Sequence, residues 1–235
     1  MVTRRDFSVD LVQAAIFTMD HGAFSSGRAV AVILQKYAQR FDGEMQALTL
    51  PVGIPSEIPH VVLQSIDGNW RFQMGPARVD AIWRNQAGAN STSFDEILAQ
   101  CAEMLEHYLH EVRASASRLA LVVRRICPVP NPAHTLIERF CKDGNLQEPF
   151  DRSANFEIHN HKVYSPQKEG VDYKINSWVR CKTITLEKDM QPAIAVEQDL
   201  NTLVEARRFN SDQVKFFFQM ARLEADEIFG KYFSQ

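Results

Sequence analysis

The chain has 235 residues, with 26 Lys and Arg against 29 Asp and Glu, a formal charge of −3. That balance excludes a strongly basic chain that coats nucleic acid through bulk charge. A hydrophobic share of 45% with 10 Gly and 10 Pro excludes a disordered or fibrous chain and leaves a folded one with a sizeable core.

Residues 7–19 are predicted as a strand, with Val9, Leu11 and Gln13 on one face and Val12, Ala14 and Ile16 on the other. Residues 25–41 lack Pro and carry Ala29, Val30, Ile33, Leu34, Tyr37 and Phe41 at helical spacing, which predicts an amphipathic helix. Pro51, Pro55 and Pro59 make residues 42–59 a long connection, with one short extended piece near 45–50. The runs 60–66 and 69–74 flank Asp67-Gly68, the pattern of a hairpin with a two-residue loop, because both residues tolerate positive φ. After Gly75-Pro76, Ala77, Val79, Ala81 and Trp83 alternate with Arg78, Asp80, Ile82 and Arg84, giving the next strand of a meander.

Ser93 followed three residues later by Glu96 has capping-box form and opens a helix whose apolar stripe runs from Phe94 through Leu105 and Leu109 to Val112, ending near Ser115. Residues 118–127 (RLALVVRRIC) are short, rich in Val and Leu and closed by a Pro-rich segment, as in a well-buried strand. A short helix over 132–140 and a loop over 144–152 follow. Strands are then predicted over 155–164, 173–186 and 193–200. A closing helix is capped by Asn210 or Ser211 and buries a stripe from Val214 to Tyr232. Arg207 and Arg208 precede it, at the positive end of its dipole, where solvent or an acidic partner must accommodate them.

In order, these elements predict an α+β fold, an antiparallel sheet packed by amphipathic helices. Residues 1–130 form a ferredoxin-like (βαββαβ) half, and residues 131–235 a meander plus long C-terminal helix, the two packed as one compact unit. No run of about 18 apolar residues is present, no secretory signal opens the chain, and the four scattered cysteines lack a CxxC pair. The expectation is a cytoplasmic protein with reduced thiols and no membrane partner.

Four sets of residues invite a chemical reading. At the strand period of two, Glu157, His159 and His161 share a face, and two imidazoles with a carboxylate are a ligand set that zinc or iron takes. Ordinary polar residues on an exposed strand face account for the same pattern; His134, Cys141 or Cys127 would have to be brought in by the fold to complete a site. His107 and His110 each have a glutamate four residues upstream, Glu103 and Glu106, which would favour protonated imidazole; a solvated helix face is the plainer account. Arg124 and Arg125 lie in an otherwise apolar strand and must point to opposite faces, so one leaves the core while the other meets a buried carboxylate or a ligand. Trp70, Arg71, Phe72, Arg78, Trp83 and Arg84 interleave aromatic and basic side chains on the meander and would suit stacked RNA bases on an open sheet, with core packing plus solvated arginines as the alternative. No GxGxxG, GxxxxGK[ST] or GxSxG occurs, so no cofactor is expected.

The segments Ile66-Asp67-Gly68-Asn69-Trp70 into Met74-Gly75-Pro76, the helix opening at Phe94, Arg118-Leu119-Ala120-Leu121, and the stretch from Ala193 through Asp199 to Phe229 and Phe233 resemble a sporadically distributed family of uncharacterised bacterial proteins of about this length. That family tends to follow the Arg-led strand with Arg-Tyr and an Asn, where this chain has Val122-Val123 and Arg125. The resemblance implies a bacterial origin and an accessory setting of defence or mobile-element character, with no established activity. Together these observations favour a non-enzymatic protein-binding or regulatory component that engages a protein partner or a second copy of itself. An RNA-binding or RNA-processing protein is the alternative on fold analogy, and a metal-dependent hydrolase on Glu157, His159 and His161 the next.

Overall fold

A computed structural model describes residues 2–19, 24–51, 53–86, 92–141, 150–167, 171–205 and 207–234. After a 3-10 turn at Arg4–Asp6 the elements run β1 (Ser8–Thr18), α1 (Ser26–Tyr37), β2 (Gln46–Ala47), β3 (Val61–Gln64), β4 (Trp70–Met74), β5 (Arg78–Arg84), α2 (Phe94–Val112) and β6 (Ala116–Pro128). They continue with α3 (Pro132–Phe140), β7 (Glu157–Tyr164), β8 (Ile175–Thr185), β9 (Pro192–Thr202) and α4 (Ser211–Tyr232). All nine strands join one antiparallel sheet in the order β2-β3-β4-β5-β1-β6-β9-β8-β7. Because β6 pairs with β1 on one side and β9 on the other, residues 8–128 and 157–202 contribute to the same sheet.

The α+β architecture, the meander β7-β8-β9 and the C-terminal helix are present as the periodicities predict. Ser93 and Glu96 close a complete capping box on α2, and Asn210 caps α4 by accepting from Gln213 N–H at 2.9 Å. Both helices lay their stripes on the sheet. Val12, Ala14, Ile16, Val79, Ala81, Leu119, Leu121 and Val123 point into one core with Ile97, Cys101, Leu105, Phe217 and Phe218. A smaller cluster joins Leu136 of α3 with Val179, Cys181, Ile194, Val196, Phe229 and Phe233. Each phenylalanine fully buried here contributes about 2–3 kcal/mol, so tertiary burial holds α4 in place more than local propensity does. Among the described residues, no helix is long and apolar enough to cross a membrane.

Three local expectations are corrected. The pairing of β1 with β6 shifts between Val9 and Leu11. This bulge at Asp10 puts Val9 against the core while Leu11 faces the other way, so the two do not share a face. The hairpin loop has four residues rather than two, since Ser65 N–H still donates to Trp70 O at 2.9 Å. Only Gly68 takes positive φ, at 71°; Asp67 instead accepts from Asn69 N–H at 2.9 Å and Ser65 Oγ at 2.5 Å, an Asx-type turn. Arg207 is accommodated within the chain, where it pairs with Asp172 and lies beside Tyr173 and Phe209, each 5.6 Å from its guanidinium. Of the predicted 144–152 loop, residues 144–149 lie outside the described residues.

Candidate functional site

A strand turns alternate side chains to opposite faces, and the residues that build both cores occupy one face of this sheet. Among the described residues, no helix covers the opposite face. The register arranges it as cross-strand rows. One row reads Arg84, Leu11, Arg124, Glu197, Arg180, His159 across β5-β1-β6-β9-β8-β7. The next reads Arg71, Ile82, Gln13, Val122, Asp199, Trp178, His161, starting one strand earlier on β4.

Opposite charges meet along these rows. Arg124 reaches Asp10 at 2.5 Å, helped by the bulge that brings that carboxylate to the same side. Arg78 holds Asp80 at 2.8 Å while Gln13 donates to the same carboxylate at 2.8 Å. Arg180 lies 3.4 Å from Glu197. Phe17 sits between two guanidiniums, those of Arg78 and Arg118, at 5.0 and 4.9 Å from its ring centre. Arg118 also donates to Asn201 at 2.8 Å, yet its Nε, like that of Arg180, is buried with no hydrogen-bond partner among the described residues. Small and apolar residues, Leu11, Ala15, Ala120, Val122 and Ile82, floor the middle of the face.

Charge is unevenly spread. Toward β4 and β5 stand Arg71, Arg78 and Arg84 against Asp80; toward β7, β8 and β9 stand Glu157, Glu197 and Asp199 against Arg180 and Lys182. The face therefore has a cationic end, a middle in which Leu11, Ala15, Ala120 and Val122 lie between Arg118 and the Arg124–Asp10 pair, and a weakly anionic end.

Of the predicted sites, the arginine pair divides as its spacing requires. Arg124 stands on the uncovered face. Arg125, with 5% of its side chain exposed, donates to Gln198 and, at 2.9 Å, to Asp226, between the rings of Phe94 and Phe229. It is satisfied by protein groups, the buried ion pair rather than a ligand site. The aromatic and basic set does not stay together. Trp70, Phe72 and Trp83 turn into the helix-covered core while Arg71, Arg78 and Arg84 point away from it, so no shared stacking surface exists among these six. The period of two that forms the strands is what separates them.

Glu157, His159 and His161 share the uncovered face, but the three do not converge. His159 Nε2 lies 2.6 Å from Glu157, whereas His161 is 2.6 Å from Asn176 and stacks on Trp178, ring centres 4.0 Å apart and 6° from parallel. Among the described residues no group of three or more His, Cys, Asp and Glu is arranged to hold a metal ion. His134 faces Glu138 on α3, on the other side of the sheet. On α2, Glu103 is taken by Lys36 at 2.8 Å, His107 lies 3.2 Å from Val32 O, and exposed His110 meets Glu111, so no acid–base pair forms with Glu103 or Glu106.

Sequence reasoning passed over Trp178, Arg180 and Lys182, although their alternation with Val179 and Cys181 marks one polar face of β8. Asp10 and Phe17 had no such signal, since a bulge and a cross-strand neighbour give them their roles. No family model matches the chain, and no curated protein is significantly similar to it.

Proposed function

We propose that this chain is a non-enzymatic protein-binding or regulatory component that works through its uncovered sheet face, and that the occupant of that face is a second copy of the chain. The observation that carries the reading is the polarity of the face. A two-fold axis running between β1 and β6 sets β5 of one copy over β9 of the other and β4 over β8, so that Arg84 lies over Glu197 and Arg71 over Trp178, with both apolar middles in contact. An apolar centre with an Arg-rich and Trp-containing surround is the usual anatomy of an interface. Nine strands about 4.8 Å apart make a face roughly 40 Å wide, larger in plan than the about 800 Å² per partner of a standard complex.

The antiparallel order β4-β5-β1-β6 with α1 and α2 supports reading residues 8–128 as a ferredoxin-like unit, with β9-β8-β7 extending the sheet and widening the face. The resemblance to a sporadically distributed bacterial family supports an accessory setting, of defence or mobile-element character, in the cytoplasm.

Light scattering and sedimentation of the purified chain across micromolar concentrations test this. A dimer that weakens with salt, and that Arg71→Glu with Arg84→Glu turns to monomer without loss of fold, is expected; both arginines are exposed. A monomer at every concentration overturns the reading, as does a salt-sensitive complex with RNA on the same arginines.

A further inference from the structure

On the helix side of the sheet, where the end of β1, the start of α1 and the end of α2 meet, lies a cavity of about 260 Å³. Three arginines from three distant segments line it: Arg28, Arg113 and Arg208. Arg28 is in the first turn of α1, steadied by donating to the backbone carbonyl of Glu111 at 2.9 Å. Arg208 is placed by an isolated bridge in which Phe209 N–H donates to Ala116 O at 2.7 Å and Ala116 N–H returns to Phe209 O at 3.4 Å.

Arg113 is the most telling of the three. It ends α2 in the left-handed conformation, φ 57°, where glycine is the favoured residue and a β-carbon costs about 1 kcal/mol. A long cationic side chain at that position brings a guanidinium to the cavity mouth. No carboxylate lines the cavity, and none of the three guanidiniums has an ion-pair partner among the described residues. Glu111 spends its carboxylate on His110, at 3.0 Å. Arg113 acts on the Glu111 carboxylate only at a distance and, among the described residues, the Arg208 guanidinium donates only to Ser115 Oγ at 3.5 Å, so the three guanidiniums around this concave space have no close carboxylate, and a multiply charged anion would supply that negative charge with forked hydrogen bonds. The amino end of the 12-residue α1 adds positive potential of the same sign. Phe24, Ala29 and Val112 supply an apolar wall beside the arginines.

We propose that this cavity binds a phosphate monoester, its phosphoryl group held by Arg28, Arg113 and Arg208 and its organic part against the apolar wall. The site is independent of the uncovered sheet face. It is tested by calorimetry and thermal denaturation of the whole protein with inorganic phosphate, phenyl phosphate and benzoate. Phenyl phosphate is expected to bind one to one, more tightly than inorganic phosphate or benzoate, and less tightly as salt rises. Arg113→Gln and Arg208→Gln should each weaken it by about tenfold or more. Arg113→Gly separates binding from folding: relief of the left-handed backbone should raise the midpoint of the free protein while phenyl phosphate affinity falls. Absence of binding at millimolar phenyl phosphate overturns the proposal, as does binding that survives the arginine substitutions. Equal affinity for benzoate or for inorganic phosphate overturns the phosphate-monoester assignment.

Discussion

Arg125 in the middle of β6 donates to the Asp226 carboxylate of α4 at 2.9 Å, and Arg4 reaches the same carboxylate at 3.1 Å, so one acid of the last helix ties down both the sheet and the amino-terminal turn. Truncation of Arg125 leaves Gln198 Oε1 without its donor and a void between Phe94 and Phe229. Arg125→Ala should cost about 3–5 kcal/mol in urea unfolding, and Arg125→Met, which refills the space, markedly less. A loss under about 1 kcal/mol for the alanine variant would show that the ion pair is not what anchors α4. Burial lowers the guanidinium to about 10, still far above neutrality, so the group stays charged and adds no slope to stability between roughly pH 5 and 9.

Two glycines answer to different constraints. Gly68 holds φ at 71°, so Gly68→Ala should cost about 1 kcal/mol through backbone strain alone. Gly75 has ordinary φ, but a β-carbon there would lie 2.6 Å from Ile58 O and 3.3 Å from Ser56 O. Gly75→Ala must displace the backbone of that loop and should lower the melting temperature more than Gly68→Ala does; the reverse order would contradict the contact.

The thiols should report folding. Burial pushes Cys101 and Cys181 up to about 12 and Cys127 up to about 11, and thiols so shifted react slowly because little thiolate forms. Cys141 is the partly exposed one. A thiol-reactive dye should therefore label one cysteine quickly in the native protein and the other three only as denaturant unfolds it, with Cys141→Ser abolishing the fast phase.

Acid stability follows from carboxylates held below their ordinary values. The hydrogen bond from Ser65 lowers Asp67, that from Lys36 lowers Glu103, and that from Arg207 lowers Asp172. Their folded values lie below the unfolded 3.8 or 4.5, so their contribution is complete above pH 4.5 and fades as pH falls through and beneath that range. Glu106 runs the other way, its carboxyl raised mainly by burial between α2 and α4. Glu106→Gln should raise the melting temperature at pH 7, and the gain should shrink on acidification toward pH 4. A constant gain across that range would mean that charge is not the cause.

Local order was legible along the chain: helices at the 3.6-residue period, strands at the period of two, the Ser93–Glu96 capping box and a cap at Asn210 or Ser211, because these depend on neighbours within one turn. The alternation that sends Trp83 one way and Arg84 the other was also legible there. Which of those directions meets helices was not, since that depends on where α2 and α4 dock through contacts far apart in the chain. The bulge at Asp10, the neutralisation of Arg125 by Asp226, and the stacking of His161 on Trp178 likewise belong to strand pairing and layer packing. Only the tertiary structure gathered Arg28, Arg113 and Arg208 around one cavity, because guanidiniums separated by 85 and 95 residues share no sequence period and meet only when the sheet and helices close around them.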